Sequence, residues 1–149
     1  MCFSESIVLH ASPDAAFAYL GDPRTAPEVD PAVISYEPDT DSMRVGTRNK
    51  VRFRMFGFPV TMYSEVKEWD PPSRMVIQSI KPKRPVRGTA THTFEPHPEG
   101  TLHTWAMEIE PALPGAGLLA SVFSHFMRNA ARAQQQRFKR IMEKRSPDG

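Results

Sequence analysis

Thr47-Arg48-Asn49-Lys50-Val51-Arg52-Phe53-Arg54-Met55 alternates without a slip. Thr47, Asn49, Val51, Phe53 and Met55 fall on one side, and Arg48, Lys50, Arg52 and Arg54 on the other. Successive side chains of an extended chain point to opposite faces, so this period of two marks a half-buried antiparallel strand. Downstream, Phe56–Pro59 makes a turn, and Val60, Met62, Ser64 and Val66 continue the apolar face on the next strand. Asp70-Pro71-Pro72-Ser73 turns again, and Met75–Ile80 reads as another strand. A basic, proline-rich loop covers Lys81–Arg87, and Thr89–Glu95 and Leu102–Glu110 form a hairpin across Pro96–Gly100. Paired positions must agree on which side is inside. Pairing Met55 with Val60, and Pro96 with Thr101, puts both apolar sets on one face, with Phe94 opposite His103 and His92 opposite Trp105.

Upstream, Phe3–His10 alternates, with Phe3, Ile7 and Leu9 on one face. Ser12-Pro13-Asp14 opens a helix, since serine suits the cap, proline the first helical position and aspartate the positive end of the dipole. Phe17 and Leu20 form its buried face, and Gly21-Asp22-Pro23 stops it. Residues 23–31 hold three prolines and fit either a second short helix or an ordered loop, before a strand at Ala32–Glu37. Pro114-Gly115 breaks the chain ahead of one long helix, Gly117–Lys144, about 40 Å in length at the α-helical rise. Leu119, Val122, Phe123, Phe126, Ala130, Ala133, Phe138 and Ile141 trace its expected apolar stripe. This order predicts an α+β fold, a curved antiparallel β-sheet wrapped around a long C-terminal α-helix, with two short helices after the first strand.

The 149 residues suit a single domain, 1–149, with an ordinary balance of 40% apolar and 24% charged side chains. Cys2 is the one cysteine, which leaves no intramolecular disulfide and no cysteine zinc site. No basic region followed by an apolar stretch opens the chain, and no apolar run approaches a membrane span, so a cytoplasmic protein without integral membrane association is expected. Charge is lopsided. Residues 1–41 hold eight acids against one base, and the remainder eighteen bases against nine acids. The bland explanation is complementarity within one fold; the alternative is a basic face for an anionic partner.

With the elements placed, the chain resembles the START-like superfamily of polyketide cyclases, dehydrases and lipid-transfer proteins, the helix-grip group that includes the Bet v 1-like allergens. The resemblance covers nearly the whole chain. It rests on Ala11-Ser12-Pro13-Asp14, Gly21-Asp22-Pro23, Val45-Gly46-Thr47, Glu68-Trp69-Asp70-Pro71-Pro72-Ser73-Arg74, Phe94-Glu95-Pro96 and Gly100-Thr101, in that order. Members often carry a tryptophan after the first helix, where this chain has Val29-Asp30-Pro31, so a different wall or entrance is expected there. The resemblance implies a cavity between sheet and helix and no one reaction.

The candidate lining follows from the strand faces. Asn49, Val51, Phe53 and Met55 come from the first strand quoted, Met62 and Ser64 from the next, and Met75 and Ile77 from the one after. Phe94, Trp105 and Met107 come from the last hairpin, and Phe123 and Phe126 from the helix. Methionine thioethers adapt to varied apolar shapes, although the same face also suits a filled core. His92 and His103 are the candidate acid–base pair, sharing a face diagonally beside Trp105; core histidines satisfied by main chain or water are the alternative. His97 lies in the turn, so no third metal ligand joins them and no metal is expected. No acid falls clearly inside, no nucleophile elbow or phosphate loop occurs, and no cofactor is expected. The arginine side of Thr47–Met55 lacks an aromatic platform, so no nucleic acid is expected.

Three functions fit. The first is binding or carriage of a hydrophobic small molecule, such as a lipid, polyketide or other aromatic compound. The second is a polyketide cyclase or dehydratase using His92 and His103 as acid and base. The third is a partner-binding module through the basic last helix. A homodimer is compatible with all three.

Overall fold

The computed structural model describes residues 2–55, 57–80, 86–111 and 114–145. Its elements are β1 (Cys2–Leu9), α1 (Pro13–Leu20), a 3-10 turn (Pro23–Thr25), α2 (Ala26–Val29), β2 (Val33–Pro38), β3 (Arg48–Met55), β4 (Phe58–Asp70), β5 (Arg74–Ser79), β6 (Val86–His97), β7 (Gly100–Pro111) and α3 (Gly117–Arg145). The seven strands form one sheet in the order β1-β7-β6-β5-β4-β3-β2. All neighbours are antiparallel. The sheet holds α3 on its concave side, which is the helix-grip architecture expected from the element order.

Local chemistry explains the element ends. The Ser12 hydroxyl accepts the Ala15 N–H at 3.2 Å, and Pro13 begins α1. Gly21 ends α1, where an added Cβ would lie 2.7 Å from the Trp69 ring. Only glycine lets that indole rest on the helix end, and Trp69 then meets Phe17 edge-on at 5.0 Å. Trp69 reaches the inner side because a bulge between Val66 and Glu68 resets the alternation of β4. Thr101 donates to the Ala11 carbonyl at 2.7 Å, which ties the β6–β7 hairpin to the end of β1.

Two expectations change. The β3–β4 hairpin closes two residues tighter than expected, with Met55 opposite Phe58 and Phe53 opposite Val60. Gly57, at φ 83°, takes a backbone conformation that favours a two-residue connection. The even offset leaves the inner face unchanged. The buried stripe of α3 is also rotated. Ala120, Phe123, Met127, Ala131, Phe138 and Met142 pack against the sheet, whereas Leu119 and Val122 are 48% and 42% exposed and Ala133 lies outside. Small Ala120 and Ala131 let the helix approach closely on that side, and Gln135, 3% exposed, is drawn in with them. Residues 81–85 of the expected basic loop, and Phe56 of the expected turn, lie outside the described residues.

The lopsided charge is used within the fold. Glu5 of β1 receives Arg128 and Arg132 of α3 at 3.2 and 2.9 Å. Burial pushes the Glu5 carboxyl up, but the two guanidinium hydrogen bonds outweigh it and hold it below the usual range. Arg137 donates to the Glu28 carbonyl from both Nε and an outer nitrogen, at 3.1 and 2.9 Å, and so anchors α2 to α3.

Candidate functional site

Between the sheet, α2 and α3 lie two adjoining cavities. The outer one, about 210 Å³, is walled by Val51, Phe53, Met62, Ser64, Ile77, Ala90, Trp105, Met107 and Phe126. All but Ala90 are among the candidate lining residues read from the sequence. Ala26, Asp30, Ala32, Val33, Tyr36, Ser79, Gly88, Met127, Ala130 and Gln134 complete the wall; Asp30 lies where a different wall or entrance was expected and Ala130 on the expected helix stripe, and the others were not among the expected lining. The inner cavity, about 130 Å³, is lined by Met75, Ile77, His92 and Trp105 together with Leu20, Val29, Tyr36, Met43, Trp69 and Gln134. Tyr36, Ile77, Trp105, Gln134 and Ala26 border both. An open groove at Arg54, Val122, His125 and Asn129 shares Asp30, Ala32, Phe126 and Ala130 with the outer cavity and forms its mouth.

The hollow has a sequence cause. Ala26, Ala32, Gly88, Ala90 and Ala130 face it from four segments, α2, the turn before β2, β6 and α3. Side chains this small cannot fill the space that the curved sheet and α3 enclose. A filled core would carry larger residues there.

Several named candidates lie elsewhere. Phe94 belongs to the aromatic core beneath α1, 5.3 Å from Phe17. Met55 and Phe123 pack in the core on the β1–β7 side. Asn49 is 1% exposed, and neither its amide nitrogen nor its oxygen has a partner. None of the four lines either cavity.

His92 lines the inner cavity, and His103 stands behind it. The hairpin register expected from the sequence is the one observed, with His92 opposite Trp105 and Phe94 opposite His103. His92 Nδ1 and His103 Nε2 are 3.0 Å apart, and the rings stack at 5.3 Å. Gln135 Nε2 reaches His103 Nδ1 at 3.2 Å and the Glu5 carbonyl at 2.8 Å. Phe94 and Phe138 flank His103 at 5.0 and 5.5 Å, and Trp105 tilts against His92 at 5.0 Å. Burial pushes the His92 imidazole down to about 4. Burial, and then the neighbouring His92, pushes His103 well below its ordinary value. Both rings are therefore neutral at neutral pH.

Two side chains that line both cavities carry a buried polar atom without a partner, Trp105 Nε1 and Gln134 Oε1. Tyr36 borders both cavities; burial pushes its hydroxyl up to about 12 and keeps it a phenol. Two acids border the space, contrary to the expectation that none falls inside. Asp30 lies at the mouth and Asp22 at the inner end. Each accepts a backbone N–H in its own turn, from Ala32 at 2.9 Å and Arg24 at 3.0 Å. Burial raises the Asp30 carboxyl against that bond and Arg137. Among the described residues no group of three or more His, Cys, Asp or Glu is placed to hold a metal ion, and no helix is long and apolar enough to cross a membrane.

A family model described as polyketide cyclase / dehydrase and lipid transport matches residues 1–143. Among solved structures, the Zhui aromatase/cyclase from a Streptomyces species aligns with a TM-score of 0.83 at 11% identity, over 97% of this chain and 94% of its own. The protein TTHA0849 from Thermus thermophilus aligns at 0.80 and 21% identity, over 98% and 99%. The di-domain ARO/CYC StfQ from the steffimycin biosynthetic pathway aligns at 0.81 and 16% identity, over 98% of this chain and 51% of that one. At these identities the likeness carries the fold. No curated protein matches.

Proposed function

The chain belongs to the polyketide cyclase/dehydrase and lipid transport family, and on that footing we propose that it binds or carries a hydrophobic small molecule between sheet and α3. The observation that supports this most is the pair of adjoining cavities, walled by methionine and aromatic side chains and opened by alanine and glycine. Empty apolar space forfeits contacts and destabilises a fold, by about 24 cal/mol per Å³ in core-truncation series. An occupant recovers them.

The test is native mass spectrometry of the purified protein, followed by thermal melts against a library of apolar bicyclic and acyl compounds. Ligand at a hundredfold excess over Kd should stabilise by about 2.7 kcal/mol, a shift of several degrees. If nothing co-purifies and no compound moves the melt, the reading fails.

A cyclase-type role is the second reading, favoured by the aromatase/cyclase folds among the neighbours and by the histidines at the inner end. Neutral, buried rings make proton shuttling by His92 and His103 the weaker form of that idea. Shape and hydrogen bonding to the bound chain are the stronger form. Turnover unchanged in both His92→Ala and His103→Ala would remove the histidines from either form, and no turnover of any aromatic polyketide mimic by the wild type would remove the cyclase reading itself. A partner-binding role for α3 draws least support, because Arg132 and Arg137 are engaged within the fold.

A further inference from the structure

The polar contacts behind the inner cavity determine which nitrogen of His92 carries its proton. The Glu5 carbonyl can only accept, so the end of Gln135 that meets it at 2.8 Å is the amide nitrogen. That same nitrogen donates to His103 Nδ1 at 3.2 Å, which must therefore present a lone pair. A neutral imidazole with Nδ1 accepting carries its proton on Nε2. His103 Nε2–H in turn meets His92 Nδ1 at 3.0 Å, so His92 also accepts at Nδ1 and also holds its proton on Nε2. No hydrogen-bond partner for His92 Nε2–H occurs among the described residues. The ring lines the inner cavity, 5.0 Å from Trp105, whose indole N–H is buried and unpartnered. His92 and Trp105 are 8% and 7% exposed.

We propose that Gln135, acting through His103, locks His92 as a hydrogen-bond donor, and that His92 and Trp105 form a subsite for a carbonyl oxygen of the bound molecule. The inference rests on the cavity being a ligand site. Two donors match the two lone pairs of a carbonyl oxygen, whereas a hydrocarbon leaves both N–H groups dry and unsatisfied. Gln135 is a positioning residue in this scheme: it lies behind both histidines and does not line either cavity. His92 in this tautomer has no lone pair facing the ligand, and it polarises a carbonyl without taking a proton.

Two measurements test this. Long-range proton–nitrogen correlation spectra of the free protein at neutral pH should show both rings as Nε2–H tautomers. In Gln135→Glu, an ionised carboxylate can only accept, so a neutral His103 donates from Nδ1 and His92 follows, leaving the His92 Nε2 lone pair toward the cavity; the titration is run above the pH at which the His103 signals show a second ring proton. The spectrum should invert while the thermal melt still reports a folded chain. In binding titrations, α-tetralone should bind the wild type about tenfold more tightly than tetralin, its counterpart without the carbonyl, and that preference should vanish in Gln135→Glu. A Nδ1–H tautomer at His92 in the wild type, or equal affinities for the two bicyclics, overturns the proposal and leaves the cavity reading standing. Binding of neither compound removes the carbonyl subsite, while the spectrum still decides the relay. If Gln135→Glu does not fold, the wild-type spectrum and the wild-type affinity ratio decide alone.

Discussion

Acidification from about pH 7 to about pH 5 should cost this fold on the order of 2 kcal/mol through His92 alone. Burial holds the folded imidazole at about 4, against about 6.5 in an unfolded chain. Between those values the unfolded state binds a proton that the native state refuses, so stability falls as pH falls. The slope is about 1.4 kcal/mol per pH unit, acting from about pH 6.5 downward, which gives the figure at pH 5. His103 acts in the same direction, being lowered by burial and by His92. Asp30 opposes it, because its raised carboxyl gains stability as pH falls. Glu5, held low, loses stability only below the ordinary carboxylate range. The experiment is a set of urea melts at both pH values on the wild type and on His92→Gln, which cannot titrate but keeps an acceptor for His103 Nε2–H. The variant should lose about 2 kcal/mol less than the wild type over that interval, with Asp30 and Glu5 cancelling in the comparison. Equal losses in the two proteins, or a wild type whose stability holds flat to pH 5, would refute the assignment of a buried neutral His92.

Phe138→Ala should destabilise by about 3–5 kcal/mol in the same melts, since Phe138 is 1% exposed and supports both Tyr19, stacked at 5.8 Å, and His103; a loss under about 1 kcal/mol would contradict that packing. Gln134→Leu should raise the stability of the free protein by about 1 kcal/mol, because it removes a buried acceptor without a partner. The same change should weaken binding of hydroxyl-bearing ligands, as read by calorimetric titration, and a destabilised variant would show that the amide is satisfied after all.

The sheet was legible because its strands alternate cleanly and its turns constrain one another. Thr47–Met55 declared its two faces, and the turn after Pro96 set the register that brings His92 beside Trp105 and His103. The C-terminal helix was legible as a helix but not in its rotation. Its apolar residues span more than one face, and alanines carry little weight in any pattern, so Leu119 and Val122 looked as buried as Ala120 and Ala131 proved to be. The rest of the cavity was hidden for similar reasons. Ala26, Asp30 and Ala32 sit in a proline-rich segment with no period, and Tyr36 lies on a six-residue strand, β2. Gln134 and Gln135 carry no apolar signal, and packing turns one toward the cavity and the other toward His103. A signal for the pair was present only in their position, seven and eight residues beyond Met127 on a helix whose turn is about 3.6 residues.

The most direct test of an apolar ligand site between sheet and helix is the magnetisation transfer between a bound bicyclic ketone and isotope-labelled methionine methyls. Met62, Met107 and Met127 border the outer cavity, whereas Met142 is buried in the separate core with Phe138. The account requires ligand cross-peaks to the first three methyls and none to Met142. A ligand that contacts none of the three, or contacts only the exposed surface, would contradict it.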